Sequence, residues 1–199
     1  MNSDFGLYRE KGIRMDVYQI FLTYMSSWSW REAVGFILLV CAAGVLLFFG
    51  VRRGRLKKSQ AAARFILVLY LGIVFASTIF TRTAGARCYE LVPFWSWYEM
   101  ISTGNLDLFE QIRLNCLLLA PVGLLLPFAR RRAFSPKYAL GVGVLIAAVI
   151  EVSQLVLARG LFEWDDMIHN GLGCMAGCVL GNWVQRFLAE KMEWYHMHL

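Results

Sequence analysis

The chain has 199 residues, of which 58% are hydrophobic and 17% charged, with 20 Lys and Arg against 14 Asp and Glu for a formal charge of +6. Soluble domains average about a quarter charged residues, so this composition excludes an ordinary water-soluble domain and leaves a membrane protein with room for about five spans of roughly 20 residues. The cationic excess does not indicate nucleic acid, because Lys and Arg cluster between apolar runs, where membrane topology accounts for them.

Residues 1–32 mix charges with a short apolar patch and end near Trp28 and Trp30, the pattern of an interfacial segment with tryptophans at headgroup level. Acidic residues and the lack of a small-residue cleavage site argue against a cleaved signal peptide there. The first span is 33–51, closed by a basic stretch of Arg52, Arg53, Arg55, Lys57 and Lys58. The second runs over 62–80 and opens a polar loop with Arg82, Arg87, Cys88 and Glu90. That loop carries the run Pro93-Phe94-Trp95-Ser96-Trp97-Tyr98, read as an aromatic belt on the membrane surface, with a ligand-stacking platform as the alternative.

The third span, 109–128, contains Asn115, Pro121, Gly123 and Pro127, so it is predicted to be kinked or locally unwound, since each proline removes a backbone donor. Arg130, Arg131, Arg132 and Lys137 close it. The fourth span is 138–158 and the fifth 166–187, joined by a short polar turn, with 190–199 as a tail that holds His196 and His198. Four of the five cysteines, Cys41, Cys116, Cys174 and Cys178, lie in apolar runs, so no disulfide framework follows.

Counting Lys and Arg gives six in 52–64 and four in 129–137, against three in 81–113 and one in 159–165. The positive-inside rule then predicts an all-α polytopic bundle of five spans, N-terminus outside and C-terminus inside. In that topology Asn115, Glu151, Gln154, Asp165, Asp166 and Asn170 fall toward the outer ends of spans three to five, and Arg82 and Arg87 follow the outer end of span two. A carboxylate in hydrocarbon costs about 2.5–3.5 kcal/mol on insertion scales, so Glu151 demands a partner. Glu151 and Gln154 share a face of span four, as do Asp166 and Asn170 at the start of span five. Asp165 reads as a helix cap and His169, four residues on, as its exposed neighbour. Gly173, Gly177 and Gly181 form a small-residue ridge that is expected to press span five against span four or three.

Three blocks then resemble the VanZ-like family of bacterial membrane proteins, whose namesake is associated with teicoplanin resistance. They are LVPFWS at 91–96, NCLLLAPVGLLLP at 115–127, and EVSQ through RGLFEWDDMIHNGLGCMAG at 151–177, joined by Arg82. The chain departs at Ala120-Pro121-Val122-Gly123, often aromatic-rich in the family, and at Gly171, often threonine; neither touches the polar set. The resemblance assigns 62–189 to a four-helix family core, makes 33–51 an additional helix, and implies a cell-envelope role at the outer face of the bacterial cytoplasmic membrane.

The site expected from residues and resemblance together is Arg82, Asn115, Glu151, Gln154, Asp166 and Asn170, with no metal and no cofactor. Its first reading is a non-enzymatic factor that binds membrane lipids, a lipid-linked cell-wall precursor or a lipoglycopeptide. The second is an intramembrane enzyme, with Glu151 or Asp166 as general base and Arg82 or Arg87 holding a phosphate or carboxylate. A small transporter or flippase is the third, and a purely structural hydrogen-bond network the fourth.

Overall fold

The computed structural model describes residues 30–82 and 84–197, so the interfacial segment expected over 1–32 lies almost wholly outside the described residues. The architecture is all-α. Helix α1 is Trp30–Arg52, and α2 is Lys58–Phe75, which runs on into a π-helical turn, Ala76–Phe80. Strand β1, Cys88–Glu90, and helix α3, Trp95–Thr103, occupy the loop beyond it. Then come α4, Leu106–Leu118, α5, Ala120–Arg130, α6, Pro136–Leu157, strand β2, Leu161–Glu163, and α7, Trp164–Met197. Four stretches are long and apolar enough to cross a membrane: Ala33–Arg52, Lys58–Phe80, Leu106–Arg130 and Pro136–Leu157.

Helix α7 is not among those four, because it carries Asp165, Asp166, His169, Asn170 and Asn182. These polar side chains do not face lipid. All but the half-buried Asp166 are buried, since α7 lies among α4, α5 and α6 as the central helix. Its glycines explain the closeness. A Cβ at Gly173 would stand 1.7 Å from the Cys116 carbonyl oxygen, one at Gly177 1.9 Å from that of Ala120, and one at Gly181 2.4 Å from that of Leu124. From the opposite side Gly123 of α5 would place a Cβ 1.8 Å from the Cys174 carbonyl oxygen. Backbone thus lies on backbone along α4, α5 and α7, as small residues permit in helix packing. Helix α7 runs unbroken through residues 190–197.

The third span divides at Leu119, whose φ of −105° and ψ of 4° separate α4 from α5. The break comes two residues before Pro121, which offers no N–H to the carbonyl one turn back. Tyr70 of α2 compensates nearby, its hydroxyl donating to the Leu118 carbonyl at 2.8 Å. At one end of the bundle the two basic loops meet: Arg64 donates to the Ala129 carbonyl at 3.1 Å and Gln60 to that of Arg130 at 3.4 Å. Helix α1 packs on α2, where the ring of Phe36 fills the dent left by Gly72.

At the other end, β1 and β2 pair in parallel, Cys88 with Leu161, Tyr89 with Phe162 and Glu90 with Glu163. This strand pair is absent from the sequence-based expectation of a plain polar turn. Two left-handed residues, Ala158 at φ 53° and Gly160 at φ 131°, turn the chain out of α6 and into β2.

Candidate functional site

The end of the bundle away from the basic loops collects the polar side chains of five elements. From α6 come Glu151 and Gln154, at most 3% exposed, on the face turned toward β2 and the π-helical turn. The Glu151 Oε2 accepts the backbone N–H of Glu163 at 3.1 Å, which ties α6 to β2. Gln154 donates to the Thr78 carbonyl at 3.2 Å, and its Oε1 accepts from the Arg82 guanidinium at 3.4 Å. From α7, Asp166 accepts from the Asn115 amide of α4. The Asn170 side chain donates back to the Asp166 carbonyl at 2.8 Å.

The structure therefore brings Asn115 to Asp166 and Arg82 to Gln154, with Asn170 bonded to the backbone of the turn that carries Asp166. Arg87, offered as an anion holder, is exposed. Arg82 exerts its charge on Glu151, Glu163 and Asp166 together, and it is half-buried. Among the described residues, however, no cationic side chain comes within salt-bridge distance of those three carboxylates. No group of three or more His, Cys, Asp or Glu side chains among the described residues is arranged to hold a metal ion.

Three residues that sequence reasoning left out of the site belong to this end. Glu163, 4% exposed in β2, accepts from the Gln111 amide at 3.2 Å. The Trp95 indole N–H is buried and faces Glu163 closely enough to favour its anion, without reaching hydrogen-bond geometry. Burial, and then the charges of Asp166 and Asp165, push the Glu163 carboxyl up to about 7, against the weaker opposing pull of Trp95 and Arg82.

Asp165 and His169 correct the sequence-based expectation of an exposed pair, since each is only 1% exposed. Asp165 does cap a helix, but the helix is α3. It accepts from the backbone N–H of Phe94 at 2.5 Å, from that of Ser96 at 3.0 Å and from the Ser96 hydroxyl at 2.5 Å. Phe94 has no side-chain oxygen and sits at φ 64°, so the cap that its position lacks comes from α7. His169 accepts the Trp97 indole N–H on Nε2 at 2.7 Å, which leaves the proton of the neutral ring on Nδ1. The aromatic run is thus a helix fastened to α7 at two points, with Tyr98 and Ile101 turned outward.

A model of the VanZ/LLP1 family matches residues 64–185. The chain belongs to the VanZ/LLP1 family. The matched stretch holds Arg82, Asn115, Glu151, Gln154, Asp166 and Asn170, as well as Gly173, Gly177 and Gly181, and it begins beyond α1. With four helices apolar enough to cross a membrane, this is a membrane protein of the VanZ/LLP1 family. No curated protein and no solved structure matches the chain.

A pH dependence follows from Glu163. A carboxyl raised in the folded state binds its proton more tightly there than in the unfolded chain, so its contribution to stability is complete below the ordinary value of 4.5 and is lost as pH rises through about 7. Thermal unfolding in detergent between pH 5 and pH 8 is expected to show a falling midpoint, and Glu163→Gln is expected to flatten much of that slope. An unchanged slope in Glu163→Gln would remove Glu163 as its source.

Proposed function

We propose that this VanZ/LLP1 protein is a five-span envelope protein of the bacterial cytoplasmic membrane. Its polar site, centred on Glu151, Gln154, Asp166 and Asn170, binds a lipid-linked envelope component or a lipoglycopeptide from the outer leaflet. One observation carries the proposal: the carboxylate layer lies at the end of the bundle opposite the joined basic loops 52–64 and 129–137. The positive-inside rule assigns those loops to the cytoplasm and hence the site to the outer half of the bilayer. Counting α7, whose polar groups face the bundle, gives the fifth span.

Buried ionisable groups in a membrane protein are costly and point to function. In cells, Glu151→Gln and Asp166→Asn are expected to abolish protection against a teicoplanin-type lipoglycopeptide while membrane abundance and thermal stability hold. Protection and stability lost together would reduce the layer to a packing network. Full protection in both variants would end the proposal.

Catalysis is the second reading, and Glu163 favours it, because a carboxyl that titrates near neutrality suits general acid–base work. Purified protein incubated with lipid-linked cell-wall precursors would then yield a product by mass spectrometry.

A further inference from the structure

The donors and acceptors of the carboxylate layer are unequal. Glu151 receives one backbone N–H, Glu163 one amide and Asp166 one amide, so these six carboxylate oxygens have three hydrogen-bond donors among the described residues. Arg82, the cation acting on all three, donates among the described residues to Gln154 and to none of these carboxylates. An independent feature has the same sense. Asn170 is 4% exposed, and its amide nitrogen is held back on the Asp166 carbonyl, which fixes the side chain against the first turn of α7. Its Oδ1 is buried and accepts nothing. A buried carbonyl oxygen without a donor is destabilising and favours a ligand that supplies one.

The carboxyl oxygens of the layer therefore outnumber the donors bonded to them, even with the Trp95 indole N–H facing Glu163 and the half-buried Arg82 acting on all three acids. A phosphate or carboxylate would bring only more acceptors and more negative charge. A primary ammonium brings three donors, no acceptor and a compact positive charge. The layer reaches the surface at Gln111, which is exposed, and beside Asn115, Asp166 and Arg82, which are half-buried.

We propose that the layer formed by Glu151, Glu163, Asp166 and the Asn170 carbonyl oxygen recognises the primary ammonium of an amine-bearing amphiphile and rejects phosphate head groups. This rests on the proposed binding function and names its ligand class. It also reverses the expectation that Arg82 serves to hold an anion.

The test uses the full chain in nanodiscs of phosphatidylcholine, whose quaternary ammonium has no N–H to donate. Hexadecylammonium and hexadecyl phosphate are titrated in parallel, and binding is read from tryptophan fluorescence, since Trp95 faces Glu163. Hexadecylammonium is expected to saturate at a Kd at least about tenfold below that of hexadecyl phosphate. Glu151→Gln and Asp166→Asn should each weaken it by about tenfold or more, while Glu99→Gln, an exposed acid on α3, should not. Equal or tighter binding of the phosphate overturns the proposal, and so does ammonium binding that survives in both variants. Should the variants fail to fold, the comparison of the two amphiphiles on the native chain decides alone.

Competition with water-soluble ethylammonium separates the sources. Displacement supports recognition of the head group by itself, and displacement by hexadecylammonium only supports a membrane-borne ligand. If Glu151→Gln loses protection in cells and neither amphiphile binds, the proposed function stands and the ammonium assignment falls. Ammonium binding without any cellular phenotype is the reverse outcome.

Discussion

Gly177→Ala is expected to unseat α7, although it adds a single methyl group. The new Cβ would lie 1.9 Å from the Ala120 carbonyl oxygen, more than an ångström inside any ordinary contact. The obstacle is backbone, so no rotamer relieves it. Either α7 withdraws from α4 and α5 or the break at Leu119 deforms. Overpacking of this kind costs about 1–3 kcal/mol or more. In a chain of this size it lowers the unfolding midpoint by about 2–12 °C. Gly141→Ala in α6 is the matched control, because nothing lies within 4 Å of its Cβ position. There alanine gains about 0.8–1 kcal/mol of helix propensity and leaves the fold intact. Thermal unfolding of both variants in one detergent checks the pair. Equal midpoints would mean that α7 does not rest on α4 and α5 as described.

The second large effect is expected at Asp165. In Asp165→Ala the N–H groups of Phe94 and Ser96 and the Ser96 hydroxyl lose their acceptor together. Each buried donor left unpaired costs about 1–3 kcal/mol, and Phe94 no longer has a reason to remain at φ 64°. A loss of about 3 kcal/mol or more follows, concentrated in α3. Ser96→Ala removes only the hydroxyl contact and should cost about 1 kcal/mol. Hydrogen exchange reads the difference locally: the amides of 94–103 should exchange far faster in Asp165→Ala, while those of α7 beside Gly173 and Gly177 keep their protection. Uniform loss of protection in both stretches would show that Asp165 supports the whole bundle and not α3.

What could be read from the sequence has a physical pattern. Glu151 with Gln154, Asp166 with Asn170, and Gly173 with Gly177 and Gly181 repeat at helical spacing, so their shared faces were visible in the string itself. The helical class and the membrane-compatible lengths followed from apolar runs and their basic boundaries. The missed features all join residues far apart in the chain. Asp165 meets Phe94 across 71 positions and His169 meets Trp97 across 72, and neither separation leaves a periodic mark. Glu163 looked like one acid of a polar turn, because its burial depends on β1 pairing with β2 and on Gln111 arriving from α4. Leu119 was hidden for another reason. Pro121 marks a defect in the helix, but the residue that absorbs it is set by neighbours such as Tyr70.

The long reach from β1 to β2 also fixes an order of assembly. A ribosome that has inserted α1 to α6 has delivered Arg82, Asn115, Glu151 and Gln154, but neither the strand that pairs with 88–90 nor the acid that caps α3. Until β2 and α7 emerge, Glu151 lacks the Glu163 amide and Asn115 lacks Asp166. The half-made protein therefore holds an uncompensated acid in the bilayer. The last helix completes the site and retires that liability in one event, so chains stalled before residue 164 should be prime substrates for membrane quality control.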